Sequence, residues 1–331
     1  MPAPGDEDAA EDILLWVEGP EAMAEVRGAA ASLLADRARG ALLGLAVGDA
    51  LGTTLEFSTR DDHPHHAEMT GGGPFGLEPG QWTDDTSMAL ALAESLIAHP
   101  DLDARDLMDR FVSWWREGQY SCTGACFDIG IATRDALARY LRSGDPFAGS
   151  TDPYSAGNGS LMRLAPAAIH ALHDPAFAQH FAVQQSRTTH ATPQAVEACA
   201  LFAELLVGAM QGVPGAELLE PREWRGDPAI AAAARGDWRG RPRSAIRSSG
   251  YVVHTLEAAL WAVERTESFE EALVLAVNLG EDADSVGAVT GQLAGALYGM
   301  SGIPPRWLEP LAWRERLVEL ADALLAGEGW R

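Results

Sequence analysis

The chain has 331 residues, 47% of them hydrophobic, with 24 basic against 48 acidic side chains and a formal charge of −24. That length and apolar content suffice for a sizeable core in one large domain or two small ones, and so acidic a chain excludes nucleic-acid binding through a broad basic surface. All 24 basic residues are arginine, which removes the P-loop lysine, Schiff-base catalysis and pyridoxal phosphate attachment.

Residues 1–36 differ in composition from the rest of the chain. They hold nine acids (Asp6, Glu7, Asp8, Glu11, Asp12, Glu18, Glu21, Glu25, Asp36) against one base, Arg27, with the apolar patch Ile13–Val17 among them. Two readings stand: a loosely docked acidic tail, or an interaction segment in which an apolar anchor with an acidic rim meets a basic partner surface. A helical pattern starts at Arg37, with Gly40, Gly44, Gly48 and Gly52 at every fourth position. A glycine inside a helix costs about 1 kcal/mol against alanine, so a face of them needs a reason. Close approach of a second backbone is the usual one. The same spacing recurs at Gly287, Gly291, Gly295 and Gly299. The two helices are therefore expected to pack glycine face to glycine face, bringing Asp49 and Glu56 beside the acids that precede Gly287.

His63, His65 and His66 read as an exposed loop cluster. Gly71–Gly76 literally matches G-x-G-x-x-G, but no β-branched strand precedes it and Pro74 lies inside it. It reads as a flexible approach to the next segment and not as a dinucleotide site. That segment, Gln81–Ser87, puts Thr83, Asp84 and Asp85 before a run with Met88, Ala91, Leu92 and Leu96 on one face, a helix from about Thr86. One acid suffices as a helix cap; two with flanking hydroxyls exceed that need. Helical patterns follow at about 103–115 and 129–141. Cys122 and Cys126 lie between them without a second pair, so zinc is not indicated, and with Cys199 they cannot make a disulfide framework, which suits a reducing compartment. Asp128, between Phe127 and Ile129, either caps the next helix or is a buried functional acid.

Gly157-Asn158-Gly159-Ser160 allows close backbone approach to a ligand, or simply a turn. Arg163 is set to cap a helix or meet a phosphate. His190 precedes an alanine-rich helix over about 195–206, as a ligand donor or a structural imidazole. Residues 211–249, rich in Gly, Pro, Arg and Asp, read as a long surface excursion. Helical patterns resume at 251–265 and 269–278. A second oxygen cluster, Glu281, Asp282, Asp284 and Ser285, then precedes Val286, Val289, Leu293 and Leu297, and a last helix lies near 308–325. Strand-like runs are missing, so the fold is expected to be all-α. No apolar leader segment and no run of about 18 apolar residues is present, which points to a soluble, cytoplasmic protein without a membrane partner. An EF-hand fails at Val286 and Leu293, a histidine-aspartate phosphohydrolase at Pro175, and Gly-x-Ser-x-Gly is absent. What remains are two hard-oxygen clusters, each on the lip of a core helix, suited to Mg²⁺, Mn²⁺ or Ca²⁺ if they converge.

Six segments in this order resemble one family: Gly48-Asp-Ala-Leu-Gly52 with Glu56, Trp82-Thr-Asp-Asp-Thr86, Cys126-Phe-Asp-Ile-Gly130, Gly157-Asn-Gly-Ser-Leu-Met-Arg163, Thr189-His190 and Gly280-Glu-Asp-Ala-Asp-Ser285. From about Arg37 onward the chain resembles the ADP-ribosylglycohydrolases. The resemblance implies an orthogonal helical bundle over 37–331. It also implies two Mg²⁺ (or Mn²⁺) held by Thr83, Asp84, Asp85, Asp282, Asp284 and Ser285, with Glu56 beside them. Asp128 or Asp284 would move the proton, and Asn158, Gly159, Ser160 and His190 would contact ADP-ribose. It departs at Ile131, where Asn is common, at Glu281, where Gly is common, and at Ser285, where many members have Thr. The expected activity is release of ADP-ribose from modified protein side chains, N-linked arginine foremost. The alternative is an immunity-type protein that docks residues 1–36 against a cognate ADP-ribosyltransferase.

Overall fold

The computed structural model describes residues 20–327, with side chains from residue 25. Among the described residues there are fourteen α-helices, short 3₁₀ turns and three isolated bridges, with no strand. The chain runs α1 (Pro20–Gly52), α2 (Asp84–Ala98), α3 (Ala104–Glu117), α4 (Ile131–Ser143), α5 (Ala165–His170), α6 (Pro175–Thr189) and α7 (Pro193–Gln211). It continues with α8 (Gly215–Leu218), α9 (Pro228–Ala234), α10 (Val252–Glu264), α11 (Phe269–Val277), α12 (Ala283–Tyr298), α13 (Pro305–Leu308) and α14 (Arg314–Ala326). The all-α expectation holds.

The axis of the fold is the α1–α12 pair. A Cβ on Gly44 would lie 2.1 Å from the Gly291 carbonyl oxygen, one on Gly48 2.0 Å from that of Gly287, and one on Gly40 2.2 Å from that of Gly295. Only glycine leaves room for backbones this close. Rising numbers on α1 meet falling numbers on α12, so the helices are antiparallel. The C-terminal end of α1 and the N-terminal end of α12 therefore share one end of the molecule, as the glycine spacing predicts. Around this pair the core is filled by Leu42, Leu43, Val47, Leu92, Phe111, Phe202, Leu256, Phe269 and Val289, all fully buried. Helix α7 is long and apolar enough by composition to cross a membrane, but most of it is buried in this core.

Four expectations change. Helix α1 begins at Pro20 instead of Arg37 and passes unbroken through residue 36, where Asp36 accepts bonds from Ser301 N (3.1 Å) and Oγ (2.7 Å). Residues 1–19, with the Ile13–Val17 patch and most of the acids, lie outside the described residues. Residues 211–249 are not a bare excursion: Ile230, Trp238 and Ile246 are buried, and Trp238 Nε1 donates to the Ala233 carbonyl (2.9 Å). His66 is buried and its Nε2 sits 3.0 Å from the Leu51 carbonyl oxygen, unlike the exposed His63 and His65. The stretch 71–77 is a closed turn, with Gly72 and Leu77 exchanging backbone bonds of 2.7 and 3.0 Å.

Near the mouth of the site, Phe57 and Glu281 both take positive φ, 59° and 60°. Phe57 N donates to Glu281 O (2.7 Å) and Glu281 N to Ser58 O (2.8 Å), a two-bond clamp between the segments after α1 and before α12. A non-glycine residue in this region costs of order 1 kcal/mol. Glu281→Gly is therefore expected to stabilise the fold by roughly 0.5–1 kcal/mol, the relief of Cβ crowding exceeding glycine's extra chain entropy. A urea midpoint that moves down instead of up counts against this account.

Candidate active site

The site is built where three helix ends meet. Thr83, Asp84 and Asp85 open α2, Asp282, Asp284 and Ser285 open α12, and Glu56 follows the 3₁₀ turn at the end of α1. Trp82, fully buried, fixes the approach to α2 through Nε1 to Ala312 O (3.1 Å) and an edge-on contact with Trp313.

Sequence alone leaves open whether Asp84 or Asp85 caps its own helix. Neither does. Asp49, near the end of α1, caps α2: Oδ1 accepts from Thr83 N (2.9 Å) and Oδ2 from Thr86 N and Oγ1 (3.0 and 2.6 Å). This borrowed cap satisfies the first-turn donors that a local acid would otherwise take. Asp84 and Asp85 are thereby released to point elsewhere. The signal in the sequence was an acid set in an apolar, glycine-spaced helix, where burial demands a partner.

The released groups converge. One ligand oxygen each from Glu56, Asp128 and Asp284 lie within 4.8 Å of one another. Thr83 Oγ1 is 3.4 Å from Asp284 Oδ2, and Ser285 Oγ is 3.4 Å from Asp85 Oδ2. Glu56 Oε2, Asp85 Oδ1 and Asp284 Oδ1 are buried with no hydrogen-bond partner. Buried polar atoms are nearly always paired, so three bare carboxylate oxygens on acids of one cleft describe a place for cations. The donor set, carboxylates and hydroxyls without nitrogen or sulfur, fits a hard divalent cation. The two halves expected from sequence, 83–85 and 282–285, do meet.

Burial and mutual repulsion set the acidities. Burial, then the Asp128 charge, pushes Glu56 up to about 9. Burial, then Asp49 and Asp282, raises Asp128 to about 7. Asp84, Asp85 and Asp284 are raised well above the usual carboxylate range, burial leading in each. The stability consequence has a definite sign. A carboxyl raised in the folded chain contributes stability below its unfolded value, and that stability is lost as pH rises through the folded value. His190, lowered to about 3 by burial and the Arg163 charge, acts oppositely and only below its unfolded value of about 6.5. Without divalent cation, the melting temperature should therefore fall from about pH 4, less steeply below about pH 6.5 where His190 opposes it, until Asp128 and then Glu56 have ionised near pH 7 and pH 9. Added Mn²⁺ should flatten the slope. Thermal unfolding followed by circular dichroism checks both, and an unchanged slope with Mn²⁺ would remove the cation site.

The remaining predicted residues divide. The cavity over the carboxylates, 440 Å³, is lined by Asn158, Gly159 and His190. Asn158, however, commits its amide to Asp282 Oδ2 (2.6 Å) and Thr255 Oγ1 (2.9 Å), so its NH₂ group orients a carboxylate and is not free for a ligand. Gly159 makes room for the His190 ring, which a Cβ there would approach to 2.6 Å. His190 Nδ1 is 2.8 Å from Thr189 Oγ1, which fixes the ring in the wall. Ser160 is a correction: its hydroxyl faces Ser186 Oγ (2.8 Å) in the core and not the cavity. Arg163 is another. It is fully buried, with its guanidinium over the Phe111 ring at 4.6 Å, and it donates to the Gln185 side chain and carbonyl and to Thr189 near the end of α6, which leaves it in the core and away from the cavity. Asp128 is no cap either, since Gly130 holds that position, and it sits half-buried at the cavity with φ 57°. Thr255, which steadies Asn158, gave no sign in the sequence beyond being a polar residue on an apolar helix.

A sequence model described as ADP-ribosylglycohydrolase matches residues 30–331. The chain is 51% identical to an ADP-ribosylarginine hydrolase Tri1 of Pseudomonas putida, over 87% of this chain and 78% of that one. It is 38% identical to the ADP-ribosyl-[dinitrogen reductase] glycohydrolase of Rhodospirillum rubrum, over 89% and 97%. A solved structure titled ADP-ribosylglycohydrolase-related protein complex superposes with a TM-score of 0.81 at 46% identity, covering 89% of this chain and 99% of that one. These names describe hydrolases, and the alternative of an immunity-type binding protein gains no support from them.

Proposed function

The chain belongs to the ADP-ribosylglycohydrolase family, and from that premise we propose that it removes ADP-ribose from arginine and that the carboxylate cleft between α1, α2 and α12 carries the reaction. The observation behind this reading is the set of bare buried oxygens on Glu56, Asp85 and Asp284. Two divalent cations, Mg²⁺ or Mn²⁺, fit as ligands Thr83, Asp84, Asp85, Asp282, Asp284 and Ser285. When bound they supply Lewis-acid polarisation of ribose hydroxyls and of the attacking water.

The protein's own groups do the rest. The bond from ribose C1 to the guanidine nitrogen breaks through an oxocarbenium-like state, and water oxygen forms the new bond to C1. Asp128 accepts the water proton and returns it to the departing guanidine. Its half-buried place at the cavity allows exchange with solvent, and a value near 7 suits both halves of the transfer, a contribution of roughly 10²–10⁴-fold. Glu56 stands beside Asp128, its oxygen within 4.8 Å of those of Asp128 and Asp284. Asn158 keeps Asp282 aimed, and the buried neutral His190 closes the wall without adding charge.

Arginine-, serine- and nucleic-acid-linked ADP-ribose, offered side by side with Mg²⁺, Mn²⁺ or EDTA, test this. Release from the arginine linkage alone, abolished by EDTA and by Glu56→Gln, is expected. Cation-independent release would overturn the assignment of the cleft.

A further inference from the structure

An aromatic row stands at one side of the cavity mouth. Phe57 is 70% exposed although it is large and apolar, and it lines the cavity next to Glu56. Its ring meets Phe75 edge-on at 6.4 Å, and Phe75 meets Phe127 at 5.1 Å. Two of the three rings are chain neighbours of cleft acids, Phe57 of Glu56 and Phe127 of Asp128. The backbone clamp to Glu281 holds Phe57 at positive φ, so the exposed ring is kept out in the mouth at a cost in strain. An exposed phenylalanine held by strain and braced by a second ring calls for a contact that offsets it.

What can lie against that ring is decided by its place. The acids beneath take the hydroxylated ribose. The rest of ADP-ribose has room on the far side, where a 760 Å³ cavity adjoins this one through Ile131, Gly157 and Gly250. The side toward Phe57 is left for whatever is joined to ribose C1. In ADP-ribosylarginine that is a planar guanidinium, the side-chain group best suited to stacking on an aromatic face. We propose that Phe57 recognises the departing arginine by stacking on its guanidinium, with Phe75 bracing the ring, and so sets the preference for arginine over serine linkages. This rests on the arginine-hydrolase reading above.

The test uses the full chain, with Phe57→Ala, Phe57→Tyr and Phe75→Ala, on ADP-ribosylarginine, together with the affinity of each for ADP-ribose alone. Phe57→Ala should lower kcat/KM on ADP-ribosylarginine about tenfold, mainly through KM, the size expected of one cation–aromatic contact. The Kd for ADP-ribose and the melting temperature should stay unchanged. Phe57→Tyr should restore activity, and Phe75→Ala should give a smaller loss of the same kind. An unchanged kcat/KM in Phe57→Ala, or an equal loss of ADP-ribose affinity, overturns the proposal alone. A wild-type chain inactive on ADP-ribosylarginine overturns the functional reading and this one with it.

Discussion

Asp85→Asn will remove hydrolysis of ADP-ribosylarginine, by at least about 10³-fold in kcat/KM, while raising the melting temperature of the cation-free protein. The two signs come from one cause. Asp85 is fully buried, its Oδ1 has no partner, and its neighbours in charge are Asp49, Asp282 and Asp128. Without a cation, that carboxyl must either hold a proton against its ordinary acidity or stand as a buried charge among like charges, and a neutral amide of the same shape avoids both costs. For a chain of this size each kcal/mol relieved raises the melting temperature by roughly 2–4 °C. With Mn²⁺ the order reverses, because binding to the native state stabilises the wild type and has lost a ligand in the variant. Scanning calorimetry of both proteins in EDTA and in Mn²⁺ gives the four values needed. A variant that keeps full activity and the wild-type response to Mn²⁺ would show that Asp85 has no part in cation binding.

The second large effect belongs to the glycine interface. Gly48→Ala should cost about 3 kcal/mol or more, despite alanine's advantage of about 1 kcal/mol in a helix. The added carbon would lie 2.0 Å from the Gly287 oxygen and 2.4 Å from its carbonyl carbon, both backbone atoms that cannot turn aside. The helices must separate, and Asp49 and Glu56 leave the α12 acids with them, so activity falls beyond the loss of folded protein. Gly28→Ala on the same helix is the control with the opposite sign. Nothing lies within 4 Å of a Cβ there, so the substitution should stabilise by up to about 1 kcal/mol. Equal behaviour of the two variants in urea would mean that the α1–α12 contact does not depend on close backbone approach.

Much of this arrangement can be read from the chain because its signals are redundant. Eight glycines at a spacing of four predict a pair of touching helices, and two excess oxygen clusters on helix lips predict a meeting point. What was not legible depends on partners far away in sequence. The cap from Asp49 serves an amide 37 residues on, so Asp84 and Asp85 look like ordinary caps until that bond is seen. Ser160 sits in a glycine-rich turn that invites a ligand, yet its hydroxyl turns inward to Ser186, a partner on another helix. Arg163 looks free for a phosphate, but the Phe111 ring and acceptors on Gln185, Thr188 and Thr189 make its burial tolerable. Residues 211–249 lack periodicity because single side chains, Trp238 and Ile246, dock them instead of a continuous face.

The joining of α1 to α12 also fixes when the enzyme comes into being. Thr83 and Asp284 are 201 positions apart in the chain, so at a ribosomal pace of roughly 5–20 residues per second about 10–40 s separate their synthesis. Until α12 has cleared the exit tunnel, the glycine stripe of α1 has no mate and Asp85 no cation to share. A polypeptide cut short before that helix would carry the first oxygen cluster intact and release no ADP-ribose.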